Sequence, residues 1–145
     1  MRMAIKKGAH SVYEIHYHLV MPVKYRKVLL GEKVEEHFVW VCKEIEKRYG
    51  IEFERIGADK NHVHILCSAA PKYSPSEIIK IIKSITAREI FKKFPEIRKV
   101  LWGGEFWSEG KYVGTVGEGG NKGVIERYIE RQGSTPKEVQ LTFWK

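Results

Sequence analysis

Apolar residues recur along this chain with two different periods. Over residues 11–21, Tyr13, Ile15, Tyr17, Leu19 and Met21 alternate with Glu14, His16, His18 and Val20. That is the period-two signature of a strand with one face turned inward, and Pro22 is expected to end it. Over residues 32–49 the period lengthens. Val34, Phe38, Val41, Cys42 and Ile45 make one helical stripe, with Gly50 as the stop. Residues 51–56 and 62–68 read as two further strands joined by a turn over 57–61, a hairpin. A second helix is expected from a Ser76 cap to about Phe94, before Pro95. Its stripe is Ile78, Ile79, Ile82, Ile85 and Ile90, and its basic residues include Lys80, Lys83, Arg88, Lys92 and Lys93. A loop over 102–110 leads to a fourth strand near 112–116. A glycine-rich tether over 117–123 then precedes a third helix, 124–132, which Gly133 ends.

The order is strand, helix, strand, strand, helix, strand, then one more helix. It predicts an α+β, ferredoxin-like (split βαβ) antiparallel sheet with helices on one face, plus a C-terminal helix. The 145 residues suit a single domain, with a core over about 11–116, the tether, the last helix and a tail over 133–145. No repeat or low-complexity block interrupts them.

Charge narrows the partners. Against 18 acidic residues stand 26 Lys and Arg, a formal net charge of +8, which favours a polyanion without choosing among DNA, RNA and anionic lipid. No apolar run is long enough for a bilayer and the first residues lack a signal-peptide core, so a cytoplasmic protein is expected. Two cysteines, Cys42 and Cys67, exclude a disulfide framework or a four-cysteine zinc site and read as buried small residues.

Two pairs of histidines carry candidate chemistry. In His62-Val63-His64 both imidazoles point to one face of a strand while Val63 points to the other, which is half of a metal site. His16-Tyr17-His18 has the same spacing, and periodicity does not rank the two. We expect His16 to face solvent, and His18 to be able to stand behind the metal as an outer partner if its strand neighbours that of His62. Tyr128 and Gln132 lie four apart on the last helix and share a face. A phenol can attack phosphorus and an amide oxygen can ligate a hard cation, although a tyrosine on an apolar helix face more often serves packing. Two imidazoles and one amide oxygen would leave positions open for a phosphate oxygen and water. Lys24, Tyr25, Arg26, Lys83, Arg88, Trp102, Phe106 and Trp107 offer phosphate contacts and stacking surfaces for single strands. Trp102 and Trp107 could equally be core or dimer contacts.

Five strings occur in a fixed order: Tyr17-His18-Leu19-Val20 followed by Lys24-Tyr25-Arg26; His62-Val63-His64-Ile65-Leu66; Trp102-Gly103-Gly104-Glu105-Phe106-Trp107-Ser108; Tyr112-Val113-Gly114-Thr115-Val116-Gly117; and Tyr128-Ile129-Glu130-Arg131-Gln132. Together they resemble the small single-tyrosine transposases of the HUH family, the TnpA-like enzymes of IS200-like insertion sequences, over residues 11–132. The resemblance implies that His62, His64 and Gln132 ligate Mg2+ or Mn2+ and that Tyr128 is the catalytic nucleophile. It also implies a single-stranded DNA substrate with hairpins at element ends, a 5′-phosphotyrosine intermediate with a free 3′-hydroxyl, and a homodimer whose tyrosine helix acts in trans. Asn61 stands where many members carry an acidic residue, with Asp59 two positions earlier. Lys24, Arg26, Lys83 and Arg88 are the expected DNA backbone contacts. The alternatives are a non-catalytic single-strand binding module, a metal-dependent nuclease using water, and a domesticated relative that cuts host repeat hairpins.

Overall fold

The computed structural model describes residues 5–8, 10, 12–101 and 104–116; the expectations for Trp102, for the tether, for Tyr128 and Gln132 and for the tail lie outside the described residues. Two short strands, β1 (Lys6–Lys7) and β2 (Val12–Tyr13), pair as a small antiparallel ribbon. The main sheet is built from β3 (His16–Pro22), β4 (Ile51–Asp59), β5 (His62–Ala69) and β6 (Tyr112–Thr115), in the order β4-β5-β3-β6 with every pair antiparallel. Helix α1 (Glu32–Arg48) links β3 to β4, and α2 (Pro75–Lys93) with the short α3 (Pro95–Val100) links β5 to β6. Each long connection skips one strand, which is the split βαβ arrangement of the ferredoxin-like sandwich.

The core lies between sheet and helices. Tyr17, Leu19 and Met21 of β3 and Val63, Ile65 and Cys67 of β5 pack with Phe38, Val41 and Ile45 of α1 and with Ile78, Ile82 and Ile90 of α2. All five residues of the α1 stripe are buried. On α2, Thr86 is buried where Ile85 is only partly so. Thr86 bears this because its hydroxyl donates to the Ile82 carbonyl (2.6 Å) and accepts from Trp107 Nε1 (2.9 Å). Both cysteines are buried and free. No described helix is long and apolar enough to cross a membrane.

Several boundaries differ from the sequence reading. Residues 11–21 are not one strand: β2 and β3 are separated at Glu14 and Ile15. Pro22 belongs to β3 as its last residue, across from His62, where a missing N–H costs least. The expected turn over 57–61 shrinks to Lys60 and Asn61, because Gly57, Ala58 and Asp59 continue the ladder opposite His64, Val63 and His62. The cap of α2 is Ser74, not Ser76. Ser74 Oγ accepts from Glu77 N while Glu77 Oε1 accepts from Ser74 N, with Pro75 in the first turn.

Candidate active site

Strands β3 and β5 present their second face away from the helices, and the histidines gather there. Pro22 is paired with His62, Val20 with His64 and His18 with Leu66. His62 and His64 are one strand repeat apart, with ring centroids 4.9 Å from each other and planes at 68°. Their exposures are only 2% and 4%, so these are not surface histidines.

Each ring has a partner at Nδ1. His62 Nδ1 lies 2.7 Å from Asn61 Oδ1. An amide oxygen only accepts, so Nδ1 carries a proton, and in the neutral ring Nε2 carries the lone pair. His64 Nδ1 lies 3.3 Å from His18 Nε2, and those two rings stack at 5.6 Å and 15°. Of the two tautomers that satisfy this contact, the one in which His64 donates leaves its Nε2 as a ligand. Tyr112 meets His18 edge-on at 5.6 Å. It folds over Gly114, where an added Cβ would come within 2.6 Å of the Tyr112 hydroxyl, so glycine is what lets the ring lie there.

Burial also sets the charge. It lowers His64 to about 3, with the neighbouring His62 and His18 adding to the effect, and lowers His18 to about 4. Both are therefore neutral near pH 7, the form that ligates a metal. The donor set fits a divalent cation in part: two buried imidazoles share a face, each with a partner at Nδ1. Among the described residues, no group of three His, Cys, Asp or Glu side chains completes a site. The expected third ligand, Gln132, and the nucleophile, Tyr128, lie outside the described residues.

The other candidates sort differently. His16 does not face solvent. It is 2% exposed, and its Nδ1 lies 2.6 Å from Glu54 Oε1. Glu54 falls where the β4–β5 register shifts between Phe53 and Arg55, and such a bulge re-aims one side chain. Phe106 and Trp107 are core residues, not stacking surfaces: they lie edge-to-face at 4.7 Å, and Trp107 also meets Phe38 at 5.6 Å. Lys83 Nζ donates to the Ser108 carbonyl at 2.7 Å and is half-buried, which lowers its pKa, with Lys111 adding to the effect. It ties down the loop before β6. Arg88 is exposed beside Glu89 at 3.4 Å. Lys24 sits 3.7 Å from Glu105. Arg26 ends a 3-10 turn, Lys24–Arg26, and its side chain lies outside the description. Sequence alone gives Asn61 only the position at which many members of the resembled family carry an acidic residue. Its position immediately before His62 was the available signal.

Comparison with known proteins identifies the family. The family model described as "Transposase IS200 like" matches residues 11–132. The chain is 33% identical over 130 residues to the ISDra2 transposase TnpA of Deinococcus radiodurans, covering 90% of this chain and 92% of that one. It is 27% identical over 128 residues to the transposase for insertion sequence element IS200 of Salmonella typhimurium, covering 88% and 82%. A crystal structure of a Deinococcus radiodurans protein regarded as a transposase superposes with a TM-score of 0.71 at 32% identity, over 90% of this chain and 99% of that one. A REP-associated tyrosine transposase bound to a REP hairpin shares the fold, with a TM-score of 0.54 at 14% identity over 89% of this chain and 68% of that one. The chain belongs to the IS200-like transposase family, enzymes that cleave and rejoin DNA.

Proposed function

We propose that this chain cuts and rejoins single-stranded DNA at insertion-sequence ends, with Tyr128 as the nucleophile and His62, His64 and Gln132 holding Mg2+ or Mn2+. The observation that carries the proposal is the pair of buried imidazoles on one strand face, with Nδ1 of each occupied by Asn61 or His18. A divalent ion bound there supplies Lewis-acid polarisation of the scissile phosphate. The Tyr128 phenol oxygen attacks phosphorus and loses its proton. The bond from phosphorus to the 3′-oxygen breaks, and that oxygen leaves as a 3′-hydroxyl. One phosphodiester is exchanged for a phosphotyrosine ester, so attack by another 3′-hydroxyl rejoins DNA without a nucleotide cofactor.

The substrate would be single strands bearing hairpins at the element ends. The working unit would be a homodimer in which the tyrosine helix of one copy serves the other. The +8 charge suits such a polyanion. The test is Tyr128→Phe with end-labelled single strands and manganese. Wild type should give a covalent protein–DNA band on a denaturing gel, and the variant should lose that band and strand cleavage while retaining DNA binding. Cleavage by Tyr128→Phe at the wild-type rate would assign the chemistry to water, and no cleavage by either protein would leave a binding module.

A further inference from the structure

Among the described residues other than glycine, only Tyr25 has a left-handed backbone, with φ 57° and ψ 15°. A bulky side chain rarely adopts that conformation, because Cβ crowds the neighbouring carbonyl. The ring gains no core packing in return, being 58% exposed. Backbone strain that repays nothing in packing belongs to residues held for another purpose.

The surroundings say which purpose. The segment is fastened to the turn that delivers His62: Val23 N donates to the Asn61 carbonyl at 2.8 Å and Leu30 N to the Lys60 carbonyl at 2.9 Å. Lys24 N donates to the Phe106 carbonyl at 2.8 Å, fixing the third side. Asn61 is also the residue that orients His62. Tyr25 follows Val23 by two residues, about 7 Å of chain at most. Lys24 Nζ lies 5.5 Å from the Tyr25 ring centroid, so an exposed aromatic face and a cation stand side by side. That is the pairing that holds single strands, the ring stacking on a base and the cation meeting its phosphate. The Lys24–Glu105 contact at 3.7 Å involves an exposed carboxylate and is weak enough for a phosphate to displace.

We infer that Tyr25 is the stacking platform for an unpaired base beside the phosphate that is cut. This rests on the reading of the chain as a single-strand transposase. The turn ties the Tyr25 backbone to the Lys60–Asn61 turn that precedes His62, so a base stacked on the ring is registered against the site and not merely attracted to it.

The test uses Tyr25→Asn, since asparagine accepts the left-handed conformation while removing the ring, and Tyr25→Phe, which keeps the ring. Oligonucleotides carry 2-aminopurine at successive positions around the cut. Wild type and Tyr25→Phe should quench one position next to the scissile phosphate. Tyr25→Asn should melt at the wild-type temperature, lose that quenching, and raise KM on the order of tenfold with kcat within about twofold. An abasic site at the quenched position should erase the difference between Tyr25→Asn and wild type. Equal quenching and equal KM for Tyr25→Asn would overturn the assignment. The quenching is an equilibrium reading made without cleavage, so a wild-type protein that stacks the base but forms no tyrosine adduct would sink the transposase chemistry and leave the stacking role standing.

Discussion

The two faces of strands β3 and β5 differ in chemistry although both are buried. One face, with Leu19, Met21, Val63 and Ile65, packs on the helices as an ordinary apolar core. The other carries His16, His18, His62 and His64, each 9% exposed or less. On the first face burial supplies stability. On the second it removes charge: His64 and His18 are held near 3 and 4 in place of 6.5, and each polar ring carries at least one partner through Glu54, Asn61 or a neighbouring histidine. A buried polar group without a partner costs more than its hydrogen bond returns. The second face is therefore tolerable because its rings are partnered, and the Asn61 contact also sets the proton of His62 on Nδ1.

Substitutions one residue apart should separate these roles. His64→Ala should lower metal-dependent cleavage on the order of a thousandfold while the protein stays folded by circular dichroism. Ile65→Ala, on the other face, should cost about 2–5 kcal/mol of stability by creating a core cavity, read by chemical denaturation. If the stability losses proved equal, the histidine face would be a second core and the division would fail.

Asn61→Ala should weaken metal affinity about 10–100-fold, the usual cost of removing an outer partner of a ligating imidazole. Asn61→Asp, which still accepts from Nδ1–H, should restore most of it. Calorimetric titration with manganese reads both. Rescue failing in Asn61→Asp would mean that the 2.7 Å contact does not orient the ring.

The smallest effect is on pH dependence. His64 and His18 have depressed folded values, so between pH 6.5 and about 4 the unfolded chain binds more protons than the folded one. Stability is then fully present above pH 6.5 and lost as pH falls through that window, by about 2 kcal/mol per histidine on reaching pH 5. Metal-free protein should show this in denaturation series, and His18→Asn should flatten the slope. An unchanged slope would place the titrating groups elsewhere.

Much of this was legible in the sequence because it follows from periodicity. The α1 stripe, the strand order and the shared face of His62 and His64 all come from spacing of 3.6 or 2. What was not legible depends on neighbours distant in sequence. His16 reads as solvent-facing because alternation names a polar face and does not say whether that face is covered; its burial rests on Glu54, turned by a bulge that no local pattern marks. Phe106 and Trp107 look like stacking aromatics until Thr86, 21 residues away from Trp107, supplies the indole's acceptor. The Ser74 cap is different. Ser74-Pro75-Ser76-Glu77 is a capping box in plain view, and Ser76 competes with it only by standing nearer the apolar run. Gly57 marks a turn by composition, yet the hairpin closes over Lys60 and Asn61 and leaves Gly57 opposite His64.

The most direct measurement is anomalous diffraction at the manganese edge from crystals of the full chain grown with Mn2+. The account predicts one ion per chain bonded to Nε2 of both His62 and His64, with Asn61 still on Nδ1 of His62. An ion bound at other residues, or the two rings bonded through Nδ1, would contradict it.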